Sequence, residues 1–437
     1  MKKSVLINHQ LCNGCGNCVI ACPGNASRGI DSKGGFGPRR EAALVIGEGG
    51  GVFLDERICI RSLSKPCKTC RDVCPAGAVT YPDEHGFSSL EKAVISRGIC
   101  SGCGGCVSAC PEDAIEMDEY PVLTGECTNC GYCLLHCPRN PEENVDLFSF
   151  KMWDTLGHIR QGFKIRAAEA PPRAQDGGFV TVLLAHLLEK GIIDAAVVTG
   201  EREDEPWRAE AVLAASPEEL YETAGSKYSN SGCLQMLKKA KEEGFKRVAV
   251  VGLPCQIEGL LKLYTSSSED LGYCNIIALS IGLFCKGNFY YQGVKKLVER
   301  RTGTTLSRVD KLDIKGKFFT VKASRGSHRI PLNELLEHKR EGCNFCSDFT
   351  SKLSDFSVGS VGSPGAFSTV IVRSSRAEKM LNLVISEGLV EATPLDDDDK
   401  ALIRRLAKSK VKTALKRINH FPESNSVTDL GVSSPLP

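Results

Sequence analysis

The spacing Cys12-x2-Cys15-x2-Cys18-x3-Cys22-Pro23 constrains this chain more than any other feature. It recurs intact as Cys100, Cys103, Cys106, Cys110-Pro111 and as Cys127, Cys130, Cys133, Cys137-Pro138. An altered copy, Cys59-x7-Cys67-x2-Cys70-x3-Cys74-Pro75, follows the first. Three thiolates at two-residue gaps wrap one corner of a [4Fe–4S] cubane, and the fourth, before proline, turns away to ligate the neighbouring cluster, so the motifs work in pairs. Pairing the first two copies predicts clusters on Cys12, Cys15, Cys18 with Cys74, and on Cys59, Cys67, Cys70 with Cys22. Pairing the last two predicts clusters on Cys100, Cys103, Cys106 with Cys137, and on Cys127, Cys130, Cys133 with Cys110. Zinc also takes C-x2-C pairs, but it needs two pairs per ion and has no use for a regular triplet with a distal Cys-Pro. Gly14, Gly16, Gly102, Gly104, Gly105 and Gly131 suit a backbone that curls tightly and points N–H groups at cluster sulfurs. The spacing therefore predicts two tandem α+β ferredoxin-like two-cluster modules, residues 1–85 and 86–140, with residues 24–51 as a glycine-rich surface loop and hairpin. A string of clusters moves single electrons and by itself breaks no organic bond.

The rest of the composition narrows the class. At 437 residues and 42% hydrophobic content the chain can bury two or three cores. Its apolar runs fall short of the roughly 18 residues that span a bilayer. The opening MKKSVLINHQLCNGCG reaches cysteines before an apolar signal region could form. Twenty-two cysteines without an export signal point to metal in a reducing cytoplasm and not to disulfides. A net charge of +2 gives no reason to expect a nucleic-acid partner.

Residues 141–176 turn polar and proline-bearing and read as a junction, with an α/β domain over 177–420 and a flexible tail over 421–437. Val180, Leu183, Leu184, Leu187 and Leu188 form one face of a helix that Gly191 ends, followed by the strand-like AAVVTG. Residues 234–243 read as a helix closed by Gly244, residues 247–251 as a buried strand, and GLPCQIEGLLKLY as a turn into a helix with Pro254 near its start. Residues 375–420 read as helices. Six cysteines remain: Cys233, Cys255, Cys274, Cys285, Cys343 and Cys346. Cys343-x2-Cys346 is a chelating pair, but read alone it is equally compatible with buried free thiols.

The segments DGGFVTVLLAHLLEKGIIDAAVVTG, GSKYSNS, VGLPCQIEGL, IGLFCKGNFYY, CNFCSDFTSKLSDFSVGSVGSP and STVIVRS resemble, in order, the motifs of a known family, the beta subunits of F420-reducing hydrogenases and F420-dependent formate dehydrogenases. The resemblance implies FAD and one further [4Fe–4S] cluster, with Cys255, Cys285, Cys343 and Cys346 as ligands and Cys233 and Cys274 as spare core thiols. It also suggests FAD contacts at Gly177, Gly178 and Thr181, where a helix start offers close backbone approach and free N–H groups. Further candidates are Ser226, Lys227, Tyr228, Ser229, Asn288, Gly359, Gly362 and Ser363. Without the resemblance, the glycines read as an ordinary turn and SKYSNS as a polar loop. Two departures stand out: Ser360 where relatives often carry an acid, and Lys286-Gly287 where they often carry Met-Glu.

The deazaflavin coenzyme F420 carries hydride, cubanes carry single electrons, and FAD does both, so the implied function is reversible electron exchange between a partner and F420. Lys286, Lys315, Lys317, Arg325 and Arg329 are candidates for a basic mouth facing the coenzyme's anionic tail. Expected partners are the other subunits of a formylmethanofuran dehydrogenase, hydrogenase, formate dehydrogenase or heterodisulfide reductase assembly. The alternatives are a ferredoxin-dependent flavin reductase of another organic substrate and a non-catalytic electron-transfer subunit.

Overall fold

The computed structural model describes residues 86–140, 155–171, 173–264, 271–324 and 326–418, together with the backbone of four short strands nearer the start. The cysteines at positions 12, 15, 18, 22, 59, 67, 70 and 74, Arg325 and the tail over 421–437 lie outside the described residues. Among the early strands, Leu6–Ile7 pairs antiparallel with Val79–Thr80. Leu44–Ile46 pairs antiparallel with Val52–Leu54, whose strand lies just beyond the 24–51 stretch read as loop and hairpin.

Residues 86–140 form a small module whose short helices Gly105–Ser108 and Tyr132–Leu135 each carry the last cysteine of one triplet, Cys106 and Cys133, into a shared core. Each helix starts on a left-handed glycine, Gly104 at φ +83° and Gly131 at φ +79°. A residue with a Cβ is strained in that region, which is why the tight curl uses glycine. The antiparallel hairpin Ile115–Met117 with Pro121–Leu123 closes the module.

The second domain is built on an eight-stranded mixed sheet. Its strands are β1 (Gln161–Ala167), β2 (Ala195–Glu201), β3 (Ala209–Ala214), β4 (Val248–Gly252), β5 (Ile277–Leu283), β6 (Phe356–Gly359), β7 (Ser368–Val372) and β8 (Val390–Pro394), in the order β8-β1-β7-β6-β5-β4-β2-β3. The central run β2-β4-β5-β6 is parallel, and the outer pairings are antiparallel. Strands β4 and β7 are buried along their whole length, as expected for strands covered on both faces. Helix α1 (Phe179–Glu189) buries Phe179, Leu183, Leu184 and Leu187 against this sheet. Helix α2 (Pro254–Tyr264) follows β4 after a single residue, with Pro254 as its first residue. Between β5 and β6, helix α3 (Tyr291–Thr302) packs on a separate three-stranded antiparallel sheet of Val309–Lys315, Phe318–Ala323 and Gly326–Pro331.

Two boundaries differ from the sequence reading. Strand β1 falls inside the stretch read as junction, yet it lies between β7 and β8, so the domain begins before residue 161. Its polar alternation belongs to a strand near the sheet edge and resembles loop composition. The region read as purely helical contains strand β8 between helices α4 (Ser375–Ser386) and α5 (Asp397–Ile418). Only pairing with β1 distinguishes it. No described helix is long and apolar enough to cross a membrane.

Candidate cluster and flavin site

Three groups of four cysteines stand in file across the two domains. In the outer group, Cys110, Cys127, Cys130 and Cys133 line one cavity with Phe87, Ile115 and Leu123. In the middle group, Cys100, Cys103 and Cys106 come from one motif and Cys137 from the next. Burial drives the Cys106 thiol well above its ordinary pKa, and the neighbouring Cys103, Cys100, Cys137 and Cys133 push it further. The fourth cysteine beside each triplet comes from the partner motif, and Cys133 and Cys106 mark where the two groups approach. Backbone N–H groups of Gly102, Gly105 and Arg139 donate to Cys100, Cys103 and Cys137 Sγ at 3.4 Å each. Phe87 and Asn129 N–H donate to Cys127 Sγ at 3.5 and 3.4 Å.

The third group sits at the carboxyl ends of the parallel strands, where open α/β sheets place their ligands. Cys255 is the second residue of α2, just beyond β4, and Cys285 follows β5. Cys343 lies in the single turn Glu341–Phe345, and Cys346 ends it. Burial, then Cys346, Cys343 and Cys285, raise the Cys255 thiol strongly. Burial also raises Cys285, to about 11, against the pull of Lys410. Burial opposes ionisation of Cys346 too, but Lys410 and Arg139 together outweigh it and lower its pKa. Asn288 N–H donates to Cys343 Sγ at 3.3 Å.

These residues fit a cubane. Buried thiols that repel one another as thiolates need a multiply charged metal core to ionise together. Of the two cysteines left over, Cys233 is fully buried in the core beside Cys103. Cys274 is exposed, which corrects its reading as a core thiol.

The flavin candidates divide between several places. Gly178, at φ +72°, starts α1 with no side-chain cap, so the helix's first N–H donors, Thr181's included, are left for a group ahead of it. Gly177 is explained by packing: a Cβ there would stand 2.2 Å from the Ile165 carbonyl oxygen and 2.6 Å from Ser368 N. The loop ahead of α1 meets the SKYS loop, where Gly225 packs on the Arg173 carbonyl and Tyr228 lies in the field of Asp313 and Asp176. Ser226 is half-buried there. The Lys227 ammonium is already engaged, donating to the carbonyls of Thr223, Ala224 and Gly225 at 2.5, 3.2 and 3.2 Å. Ser229 Oγ accepts from Ala209 N–H at 2.8 Å. Ser363 Oγ pairs with Thr369 Oγ1 at 2.6 Å, while Gly359 and Gly362 pack against Phe284 and Ile403. Asn288 belongs with the third cysteine group. The helix start and its facing loop are therefore the arrangement that fits an anionic cofactor.

Of the basic candidates, Lys315 reaches this region and, with Lys311, faces Asp176. Lys317 lies in the turn between the first two strands of the small sheet and Arg329 on its third strand, stacked 4.0 Å from the Phe318 ring centroid. Lys286 is exposed beside Cys285. Sequence reasoning missed Arg139, Glu258, Arg340 and Lys410, all buried at the cysteine groups.

A family model described as coenzyme F420 hydrogenase/dehydrogenase, beta subunit N-term, matches residues 163–238, and its C-terminus counterpart matches 245–398. The chain belongs to this family of beta subunits. Models for 4Fe-4S dicluster domains match residues 64–115 and 99–141, and a 4Fe-4S binding domain matches 5–28. The family's α/β fold is thus joined to N-terminal iron–sulfur domains. The beta subunit of the coenzyme F420 hydrogenase of Methanosarcina barkeri is 34% identical over 56% of this chain and 86% of its own length. The coenzyme F420-dependent sulfite reductase of Methanocaldococcus jannaschii is 35% identical over 76% of this chain, which spans only 52% of that protein. A chain of the F420-reducing [NiFe] hydrogenase complex from Methanosarcina barkeri superposes with a TM-score of 0.58 at 31% identity, over 61% of this chain and 93% of that one.

Proposed function

We propose that this chain is an iron–sulfur flavoprotein subunit that exchanges electrons between a partner oxidoreductase and coenzyme F420. The observation that carries the reading is the file of three cysteine groups ending at the carboxyl edge of the parallel strands, in a family whose members act with F420. In this reading Cys100, Cys103, Cys106 and Cys137, then Cys110, Cys127, Cys130 and Cys133, hold one [4Fe–4S] cluster each. Cys255, Cys285, Cys343 and Cys346 hold the cluster nearest the flavin, and the eight earlier motif cysteines hold two more. The start of α1, with Thr181, and the loop over residues 226–228 hold FAD, which when bound accepts electrons singly and passes them on as hydride.

The chain's own contribution is positioning. The sheet edge and the docked module keep the cysteine groups in sequence and out of water, while Lys311, Lys315 and Lys317 draw the anionic coenzyme to the mouth. Such a chain of clusters suits a distant donor or acceptor in a larger assembly of the hydrogenase, formate dehydrogenase, formylmethanofuran dehydrogenase or heterodisulfide reductase type. A second direction is favoured by the sulfite reductase match, which reaches into the ferredoxin half. There, electrons enter from reduced F420 and leave through the modules to an acceptor carried by another polypeptide.

The test is anaerobic purification of the full chain, extraction of its flavin, and assay of F420 reduction by reduced methyl viologen. F420 turnover with stoichiometric FAD is expected. Bound flavin without F420 turnover would refute the substrate, and a flavin-free chain would leave electron transfer alone.

A further inference from the structure

Between the middle and third cysteine groups lies the guanidinium of Arg139. This residue follows Cys137-Pro138 and its side chain is 3% exposed. Its Nη1 pairs at 3.4 Å with Glu258 Oε2, whose side chain is 2% exposed. Glu258 stands three residues beyond Cys255, on the same face of α2, so the pair bridges the ferredoxin module and the α/β domain at their cysteine groups. Arg139 lies in the field of Cys346 and Cys255 on one side and of Cys137, Cys100 and Cys103 on the other. Its Nε and Nη2 are buried with no hydrogen-bond partner. A buried guanidinium with idle donors is costly unless something accepts them.

We propose that Arg139 is a positioning residue for electron transfer, offering its unpartnered N–H donors to the sulfur of the clusters on either side and, held by Glu258, setting the reduction potentials of both. The inference rests on the ligand assignment proposed above. Each electron that reaches a cluster adds one negative charge to it, so a nearby buried cation favours the reduced form and raises the potential, while a nearby carboxylate lowers it. With clusters held at both groups, an electron passing from the middle one to the third would oxidise one and reduce the other, with no proton required. Arg139 would stabilise the reduced form at both ends of the hop and so raise both potentials. A residue that merely pinned the interface would have no such effect on potential.

The experiment is an EPR-monitored redox titration of the full, cluster-loaded chain, with Arg139→Gln, Arg139→Lys and Glu258→Gln as variants. Arg139→Gln should move two cluster potentials downward, Arg139→Lys should restore most of the shift, and Glu258→Gln should move the same two upward. A purely structural pair would give shifts of the same sign in Arg139→Gln and Glu258→Gln, or none, and either result overturns the proposal. If Arg139→Gln does not fold, an upward shift in Glu258→Gln still supports the inference, and its absence refutes it. The iron content of Cys137→Ser and Cys255→Ser separates the two levels. Unchanged iron there defeats the ligand assignment, whereas lost iron without opposed shifts defeats only the role of Arg139.

Discussion

Replacing Arg340 with methionine should loosen the ferredoxin-like residues 86–140 from the α/β domain without unfolding either. Arg340 is 1% exposed and crosses the boundary between them. Its Nη1 donates to Glu119 Oε2 at 2.5 Å and its Nη2 to the Glu119 carbonyl at 2.6 Å. The guanidinium lies 4.9 Å from the Tyr120 ring centroid and 5.1 Å from that of Tyr290. Glu119 keeps 27% of its side chain exposed, so its carboxylate rehydrates and that ion pair contributes only about 1 kcal/mol. The charged hydrogen bond to the carbonyl adds about 1.5 kcal/mol. The two ring contacts add about 1 kcal/mol together. Methionine returns about 1 kcal/mol by filling the space with apolar surface. The net loss of about 2.5 kcal/mol corresponds to an opening constant raised about 60-fold. Amide hydrogen exchange on the loaded protein reads this directly, because local opening sets protection. Amides of residues 100–140 should lose protection by that factor while those of β4 and β5 keep theirs. Unchanged protection in the module, or equal loss in both domains, would refute this role of Arg340. Glu119→Gln keeps the backbone acceptor and should show a smaller change.

Gly342→Ala would place a Cβ 2.1 Å from the Cys100 carbonyl oxygen, so it should destabilise the same interface by about 1–3 kcal/mol, measurable as a lower denaturation midpoint. Cys255→Ser should reduce the iron content by about four atoms per chain, whereas Cys233→Ser should leave it unchanged. Lys410, buried on α5, donates to the Cys285 carbonyl at 2.6 Å. Lys410→Met should cost about 2 kcal/mol and expose α5 to proteolysis. Thr181→Glu at the start of α1 should reduce flavin retention about fivefold while thermal stability stays near that of the parent, because an added anion there competes with the cofactor for the same donors.

The cysteine spacing was enough to pair Cys137 with the Cys100 triplet and Cys110 with the Cys127 triplet, because a short module with left-handed glycines leaves those thiols little choice of position. Helices α1 and α2 were legible for a similar reason: their apolar faces and boundaries, Gly191 and Pro254, are local signals. Strands β1 and β8 were not. Both are polar, and what makes them strands is hydrogen bonding to partners far away in the sequence, β1 to β7 and β8, and β8 to β1.

The site divides along the same line. That Cys255, Cys285, Cys343 and Cys346 belong together came from family resemblance, since nothing local joins residues separated by up to 91 positions. Their meeting at the ends of β4 and β5 is a product of sheet order. Lys227 carries a sequence motif but spends its charge on three carbonyls, while Arg139, Arg340 and Lys410 carry none and stand at the cysteine groups. The kind of metal site was legible before any folding was considered, because thiolate number and spacing are written into the chain. Which charges surround each site, and in what order the sites stand, emerged with the folded arrangement, because electrostatics depends on distance through space and burial, and neither follows from position along the chain.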